Sequence, residues 1–552
     1  MTRRWVDQLR LIAGLGAAAA LIGYGLAAER GISDERWLAL LGLGWVALVV
    51  AIWPRLPKNW GTFSRSAIKT AFLLTSLFAL LTIQLMRIQA IDQDAIANRT
   101  GGNIETGDSL QNPRTVDNDL ALNRGSIYDR NGNLIAGVDV RDGVGYRVYP
   151  DPATAYVAGY YSPLQYGLTG LEETYDEELR GVAGGNPITE ALDQLLHSEP
   201  EGNNLILSLD ASVQDTAQQL IGNRTGAVVV LDIKTGATIA LVSNPAYDPN
   251  QLVATTSEER DAAATYWGAL INDPDAPLVL RATNGQFTPG STFKTVTAAA
   301  AIDTGIAKPD DIYEDNGSFT VDGREIIENN RPDDSIDQWT LTQGYMYSLN
   351  VVFAQVGLDV GASDLEKYAT AFGFGSGIPY DVPVVESQLA SNLDFLDSQV
   401  ALAETAFGQG QILATPLQMA LIAACVANDG KMMQPYLVDS IESPDGDELR
   451  SVDPSVWRTP ISSSTAQTLQ QMMIDAVEQG SVSGAAVPGY TVGGKTGTAE
   501  TGTGDPHSWF IGFIGDPEPR YAVAVVLEHG GGEVGAAVSI GQGVLADVIA
   551  TN

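Results

Sequence analysis

Three apolar stretches fill most of the first ninety residues, and they limit what the rest of the chain can be. They run over about 11–28, 37–53 and 67–86. Each is close to the length that a helix needs to span hydrocarbon. Residues 1–95 are therefore predicted to be a membrane region with up to three transmembrane helices. The flanks give direction. Arg3, Arg4 and Arg10 come before the first stretch, and Arg55, Lys58, Arg65 and Lys69 surround the junction between the second and third. Asp92, Asp94 and a strongly acidic chain follow the third. The positive-inside rule puts the N-terminus in the cytoplasm and everything beyond about residue 90 on the outer side of the cell membrane. A second reading makes the first stretch, ending at Ala27-Ala28, a cleaved signal peptide. The exit side is the same in both.

At 552 residues the chain is too long for one ordinary domain, and 45% hydrophobic residues can supply large cores. A net charge of −36 repels phosphate backbones and sets nucleic acid aside as a partner. The single cysteine, Cys425, sits in the apolar run 420–427 and reads as a packed core residue. No Gly-x-Ser-x-Gly elbow is present, and none of the histidines, His197, His507 and His529, needs a catalytic role. A Ser-His-Asp hydrolase is thereby disfavoured. Nothing in the sequence resembles a metal site or calls for a cofactor.

Beyond the membrane region, residues 98–118 read as a polar linker. Asn131-Gly132 marks a hairpin turn inside Arg124–Ala136. A second hairpin joins 226–232 to 238–243. Helical patterns follow at 289–302, 417–427 and 465–478, then strands at 490–498, 509–515 and 521–528, and a last helix at 538–549. This order predicts an α/β (α+β) domain whose antiparallel sheet is built from both ends of the sequence and flanked by helices.

Three short motifs occur in order. In Ser291-Thr-Phe-Lys294, a helix brings i and i+3 onto one face, so the hydroxyl and the amine can meet. Serine needs a base to become a nucleophile, and lysine serves when burial or a neighbouring cation lowers its pKa. In Ser348-Leu-Asn350, a second hydroxyl can relay a proton and an amide can hold a substrate amide. In Lys495-Thr496-Gly497-Thr498, a strand edge can bind a carboxylate-terminated peptide as an added strand, with Gly497 admitting its backbone. Singly these motifs are weak. Ser66-Ala-Ile-Lys69 matches the first at the edge of an apolar stretch, and Lys234-Thr-Gly236 matches the third at a hairpin tip. The ordered set is the specific signal, and it is a known signature of penicillin-binding proteins and class A β-lactamases.

With these motifs the chain resembles a class B penicillin-binding protein over nearly all of its extramembrane length. Asp273-Pro-Asp-Ala-Pro277, Arg281-Ala282, Phe287-Thr-Pro-Gly290, Ala406-Phe-Gly-Gln-Gly410, Ala414-Thr-Pro-Leu-Gln-Met419 and His507-Ser-Trp-Phe510 add to the likeness. Arg124-Gly-Ser-Ile-Tyr-Asp-Arg-Asn-Gly132, Gly159-Tyr-Tyr-Ser162, Gly167-Leu-Thr-Gly170 and Leu171-Glu172 are most similar to the short-pedestal group typified by penicillin-binding protein A. The resemblance implies a serine transpeptidase/β-lactamase-like fold at 201–552 behind a mixed pedestal at 96–200. It implies a peptidoglycan D,D-transpeptidase acting through a serine acyl-enzyme. Ser291 would be the nucleophile, with Lys294, Ser348 and Lys495 as its proton network. Ser291 and Thr498 would supply oxyanion-hole N–H groups, Thr496 and Thr498 would hold the terminal carboxylate, and Asn350 the peptide. The partners implied are D-Ala-D-Ala stem peptides, an acceptor amine, β-lactams, the membrane and a SEDS-family glycan polymerase. The family has a single membrane helix before the pedestal, so three candidates are a departure. Rival readings are a D,D-carboxypeptidase or β-lactamase on the same fold, and a non-catalytic β-lactam sensor or wall scaffold.

Overall fold

The computed structural model describes residues 3–27, 34–90, 101–102, 109–110, 124–141, 144–163, 165–182, 201–254, 257–502, 504–532 and 535–551. His197 and the linker expected over 98–118 lie outside them, apart from the pairs 101–102 and 109–110, which bond antiparallel. The chain divides into two compact units, Met1–Asp119 and Leu120–Asn552.

All three apolar stretches of the first unit are helical: Arg3–Ala27, Asp34–Ile52 and Thr62–Ala90. The first two approach so closely that a Cβ on Gly14 would stand 2.5 Å from that of Ala51. Small residues permit such contact between helices. Trp37 Nε1 donates to Gln84 Oε1 at 2.5 Å and Trp45 Nε1 to Ser76 Oγ at 3.2 Å, which ties the second helix to the third. Among the described residues only Thr62–Leu85 is long and apolar enough to cross a membrane. Shorter apolar helical segments, Arg10–Leu21 and Arg36–Ile52, precede it among the described residues. The third predicted segment meets that requirement by itself, and all three are helical. Ser66-Ala-Ile-Lys69 lies on this third helix, far along the chain from the other motifs.

The second unit contains two large sheets. One is five-stranded and antiparallel, in the order Thr238–Asn244, Gly226–Asp232, Pro519–Leu527, His507–Gly515, Thr491–Ala499. As expected, early and late segments meet in it: Val229 pairs with Ala524 and Lys495 with Ile511. Both faces are covered. Successive side chains of a strand point to opposite faces. Val228, Val230, Val523 and Val525 therefore pack with Val213, Ala217, Val544 and Val548 of the helices Ala211–Ile221 and Ala536–Thr551. Val229, Leu231, Ala524 and Val526 join the core of Leu417, Leu421 and Phe293 on the other face. The helix Pro416–Ala427 begins where Thr415 Oγ1 accepts from Gln418 N, with Pro416 in the first turn. It is buried all round, which explains its apolar composition, and Cys425 is part of that core. Lys234-Thr-Gly236 is the hairpin tip it was read to be, with Asp232 Oδ1 accepting from Lys234 N and Thr235 N.

The other sheet is six-stranded, in the order Glu448–Ser451, Val438–Glu442, Asn204–Leu207, Ile127–Tyr128, Leu134–Arg141, Val144–Val148. Gly132, at φ +82°, makes the expected turn between its first two strands in sequence. Two strands from beyond residue 430 complete it. Beneath it, Glu172 is fully buried between two arginines. Arg124 Nε bonds Glu172 Oε2 at 2.7 Å, and Arg147 Nε bonds Glu172 Oε1 at 2.5 Å. Tyr149 OH donates to the same carboxylate at 3.1 Å, and Arg124 Nη1 reaches Asp176 at 2.6 Å. Burial alone pushes the Glu172 carboxyl up, but Arg147 and Arg124 outweigh it and hold it below its ordinary value.

Candidate active site

The chain enters the first motif through a glycine with φ +54°, Gly290, followed by a 3-10 turn over Gly290–Phe293 and the helix Lys294–Asp303. The expected helix at 289–302 thus starts one turn tighter than an α-helix. Lys294 N–H donates to Ser291 O, as an i to i+3 bond requires. The turn is locked onto the strand Thr491–Ala499. A Cβ on Gly290 would lie 2.6 Å from Thr498 O and 3.1 Å from Thr498 N. A Cβ on Gly497 would lie 2.6 Å from Pro289 O. The room left by the missing Gly497 side chain is taken by the turn that carries Ser291. Gly408 closes the turn from the other side, with Gly290 N donating to Gly408 O at 3.0 Å.

The second motif sits between two helices. Leu341–Met346 is capped by a reciprocal pair, Thr340 and Gln343, and Asn350–Ala371 begins at Asn350. Ser348 lies in the left-handed region at φ +62°, a conformation that costs a residue with a Cβ about 1–3 kcal/mol. It is held there from several sides. Ser348 N donates to Tyr345 O at 3.1 Å, and its carbonyl accepts from Lys294 Nζ at 2.6 Å and Asn330 Nδ2 at 3.1 Å.

The three motifs meet at Ser348. Lys495 Nζ donates to Ser348 Oγ at 2.8 Å, and Lys294 Nζ lies 3.4 Å from the same oxygen. Lys294 also donates to Asn350 Oδ1 at 2.8 Å. Both lysines are 0% exposed. They lie over aromatic rings, Lys294 Nζ 5.4 Å from the Phe353 centroid and Lys495 Nζ 5.6 Å from that of Tyr345. Burial lowers Lys294 to about 7, against a raising influence from Glu328. Burial also holds Lys495 well below its usual range, with Lys294 pushing it further down. Two ammonium groups sharing one dry pocket cannot both keep their protons near neutrality. Among the described residues no hydrogen bond joins Ser291 Oγ to Lys294 Nζ; the lysine is turned towards Ser348 and Asn350.

Ser291, Ser348, Asn350, Thr496 and Thr498 line one cleft of about 740 Å³, with Phe407, Gln409, Asn330 and Glu404 among its other walls. Thr491–Ala499, which contributes Thr496 and Thr498 to the cleft, is an edge strand whose outer side has no strand partner among the described residues. An extended peptide can add there. Trp509 Nε1 donates to Thr288 O at 3.0 Å, which ties the neighbouring strand to the nucleophile turn. His507 packs edge-on against Phe287 and beside His529, outside the cleft, in the structural setting expected for it. Glu328 and Asn330 were not singled out from the sequence. No spacing rule marks them, since they reach the motif from a separate excursion of the chain.

Comparison with known proteins accounts for this arrangement. Residues 226–548 match the penicillin binding protein transpeptidase domain, and residues 124–205 the penicillin binding protein A dimerisation domain. The peptidoglycan D,D-transpeptidase PbpA of Mycolicibacterium smegmatis is 34% identical over 460 residues, covering 80% of this chain and 92% of that protein. The chain is a class B penicillin-binding protein of the penicillin-binding protein A type. The imipenem acyl-enzyme complex of penicillin-binding protein A from M. tuberculosis superposes on this penicillin-binding protein with a TM-score of 0.72 at 32% identity, covering 78% of this chain and 100% of that one. A D,D-transpeptidase domain from Eggerthella lenta gives a TM-score of 0.69 at 32% identity, covering 78% and 99%. This penicillin-binding protein is accordingly a peptidoglycan D,D-transpeptidase, a serine acyltransferase whose partners are stem peptides and β-lactams.

Proposed function

We propose that Ser291 is the nucleophile of this transpeptidase and that Lys294, Ser348 and Lys495 form the network that moves its proton. The observation that carries this reading is the meeting of two fully buried lysines at one serine hydroxyl, in the cleft that Ser291 lines. Ser291 Oγ attacks the carbonyl of the penultimate D-alanine of a donor stem peptide. The C–N bond to the terminal D-alanine breaks as the Oγ–C bond forms. The proton lost by Ser291 passes through the lysine and Ser348 network to the departing amine. An amine from a neighbouring stem peptide then attacks the ester, gives up its proton to the same network and frees Ser291. The backbone N–H groups of Ser291 and Thr498 bind the carbonyl oxygen as it becomes negative. The closeness of Gly290 to the Thr498 backbone supports that pairing. Thr496 and Thr498 hydroxyls take the terminal carboxylate, and Asn350 takes a peptide amide while it steadies Lys294. A β-lactam acylates the same serine.

The test is covalent labelling of the full-length protein in detergent by a fluorescent penicillin. The wild type forms a lasting adduct and Ser291→Ala forms none. An adduct of equal intensity in the variant would show that another residue is the nucleophile. Rapid loss of label from the wild type would favour a β-lactamase or carboxypeptidase reading.

We further read the protein as anchored in the cell membrane, with the pedestal at 96–200 and the transpeptidase domain at 201–552 on the outer side. The basic flanks before the third helix and the acidic chain after it support this orientation. The two shorter apolar helices offer added contact to a SEDS-family glycan polymerase. Co-purification of that polymerase should weaken when residues 1–60 are removed; unchanged recovery would refute the contact.

A further inference from the structure

The helix that starts at Asn350 has no cap of its own. Its N-cap residue is Leu349, whose side chain cannot accept a hydrogen bond, and this leaves first-turn N–H groups to be satisfied from elsewhere. One finds its partner in a distant part of the chain. Val351 N donates to Glu328 Oε2 at 3.0 Å. The other carboxylate oxygen, Oε1, accepts from Asn330 N at 2.8 Å. Asn330 in turn donates from Nδ2 to Ser348 O at 3.1 Å. Glu328 is 7% exposed and follows the hairpin Ser318–Val321 and Arg324–Ile327, anchored by its own N–H to Gly317 O at 2.9 Å. A carboxylate at a helix N-terminus is favoured by the unsatisfied N–H groups there. This one also faces the lysine pocket.

We propose that Glu328 is a positioning residue for the acyl-transfer site: its carboxylate caps the helix from Asn350, holds Ser348 in its left-handed conformation through Asn330, and sets the charge balance around Lys294. The proposal rests on the reading of Ser291 and Lys294 given above. Ser348 has one local bond, from its N–H to Tyr345 O, and Asn330, itself held by Glu328, adds a constraint from a distant segment. The charged groups facing Lys294 are Lys495 from the edge strand and Glu328 from the hairpin excursion, and the titratable Tyr345, from the helix before Ser348, lies under Lys495. Glu404, Glu325 and Glu500 stand further out, along the walls of the same cleft. Glu328 is thus the buried carboxylate set against Lys294. Its removal lowers the proton affinity of Lys294 further, since its influence on that group is to raise it.

The experiment measures the second-order rate of acylation by a fluorescent penicillin across pH 5–9 for the full-length protein, Glu328→Gln, Glu328→Asp and Ser291→Ala, with a melting curve for each. Glu328→Gln is expected to lose at least tenfold in the plateau rate, and its acid limb should move to lower pH because neutral Lys294 persists further into acid. Glu328→Asp, which keeps the charge but withdraws it by one methylene, should keep the wild-type acid limb with a reduced plateau. A Glu328→Gln protein with a reduced plateau and an unmoved acid limb would overturn the charge role. An unmoved plateau in both Glu328 variants would overturn the positioning role. If Glu328→Gln does not fold, Glu328→Asp decides alone: wild-type rates at every pH refute the proposal. Labelling of Ser291→Ala would instead remove the reading on which it rests, so the two failures are separate.

Discussion

Lys294→Ala should reduce the acylation rate by a fluorescent penicillin about 10²–10⁴-fold, the range over which a positioned general base contributes. Wild-type acylation should itself rise through about pH 7, where Lys294 gives up its proton. The sign follows from the direction of the shift. Burial lowers the lysine, so the neutral form that can accept a proton from serine is present above that pH and is lost below it. Lys495 is not a substitute. Its proton affinity is depressed partly by the charge on Lys294, and the substitution removes that neighbour. Lys495 then holds its proton more tightly than in the wild type, although burial still keeps it below its usual range. The variant should therefore show a lower rate together with an acid limb displaced from the wild-type position. A Lys294→Ala protein within threefold of wild type at all pH would place the base elsewhere.

The second large effect concerns stability. Glu172→Ala should destabilise the Leu120–Asn552 unit by about 3–5 kcal/mol, as expected when one partner of a buried ion pair is removed. The carboxylate bonds two guanidinium groups and a phenol, and Glu172 and Arg147 have side chains at most 1% exposed. Without it, Arg124 keeps Asp176 and the Glu172 backbone carbonyl, whereas among the described residues Arg147 keeps Gly125 O alone as a hydrogen-bond partner. The comparison is Arg141 and Asp139, paired at 2.8 Å with side chains 61% and 50% exposed. Arg141→Ala should cost under about 1 kcal/mol, because solvent screens that pair. Thermal unfolding of the full-length protein followed by tryptophan fluorescence measures both. A fall in melting temperature no larger for Glu172→Ala than for Arg141→Ala would refute the assignment of a structural role to the buried cluster.

Most of the fold was legible because its signals are local. The Gly226–Asp232 and Thr238–Asn244 hairpin carries a run of apolar residues on either side of a polar turn, and both strands form where that pattern places them. The helices at Pro416–Ala427 and Ser463–Glu478 begin at capping hydroxyls, Thr415 and Ser462. The motif residues Ser291, Ser348, Asn350, Thr496 and Thr498 do share one cleft, with Lys294 and Lys495 buried beside it. What escaped the sequence is what depends on distant chain. Glu328 stands 23 residues before the N–H it accepts from, and Glu172 stands 48 residues after Arg124. No periodicity connects such pairs. The same holds for Gly497, whose bare Cα makes room for Pro289 of another segment.

The six-stranded sheet has a temporal consequence. Its central strand Asn204–Leu207 pairs with Val438–Glu442, a segment synthesised more than two hundred residues later. The five-stranded sheet likewise waits for Pro519–Leu527 to join Gly226–Asp232. Pairings this distant are slow to form, since the intervening chain must be closed into a loop first. A ribosome delivers the early strands with their edges open. Neither half can mature ahead of the other, and the chain must be kept from pairing with strangers until its last strands arrive.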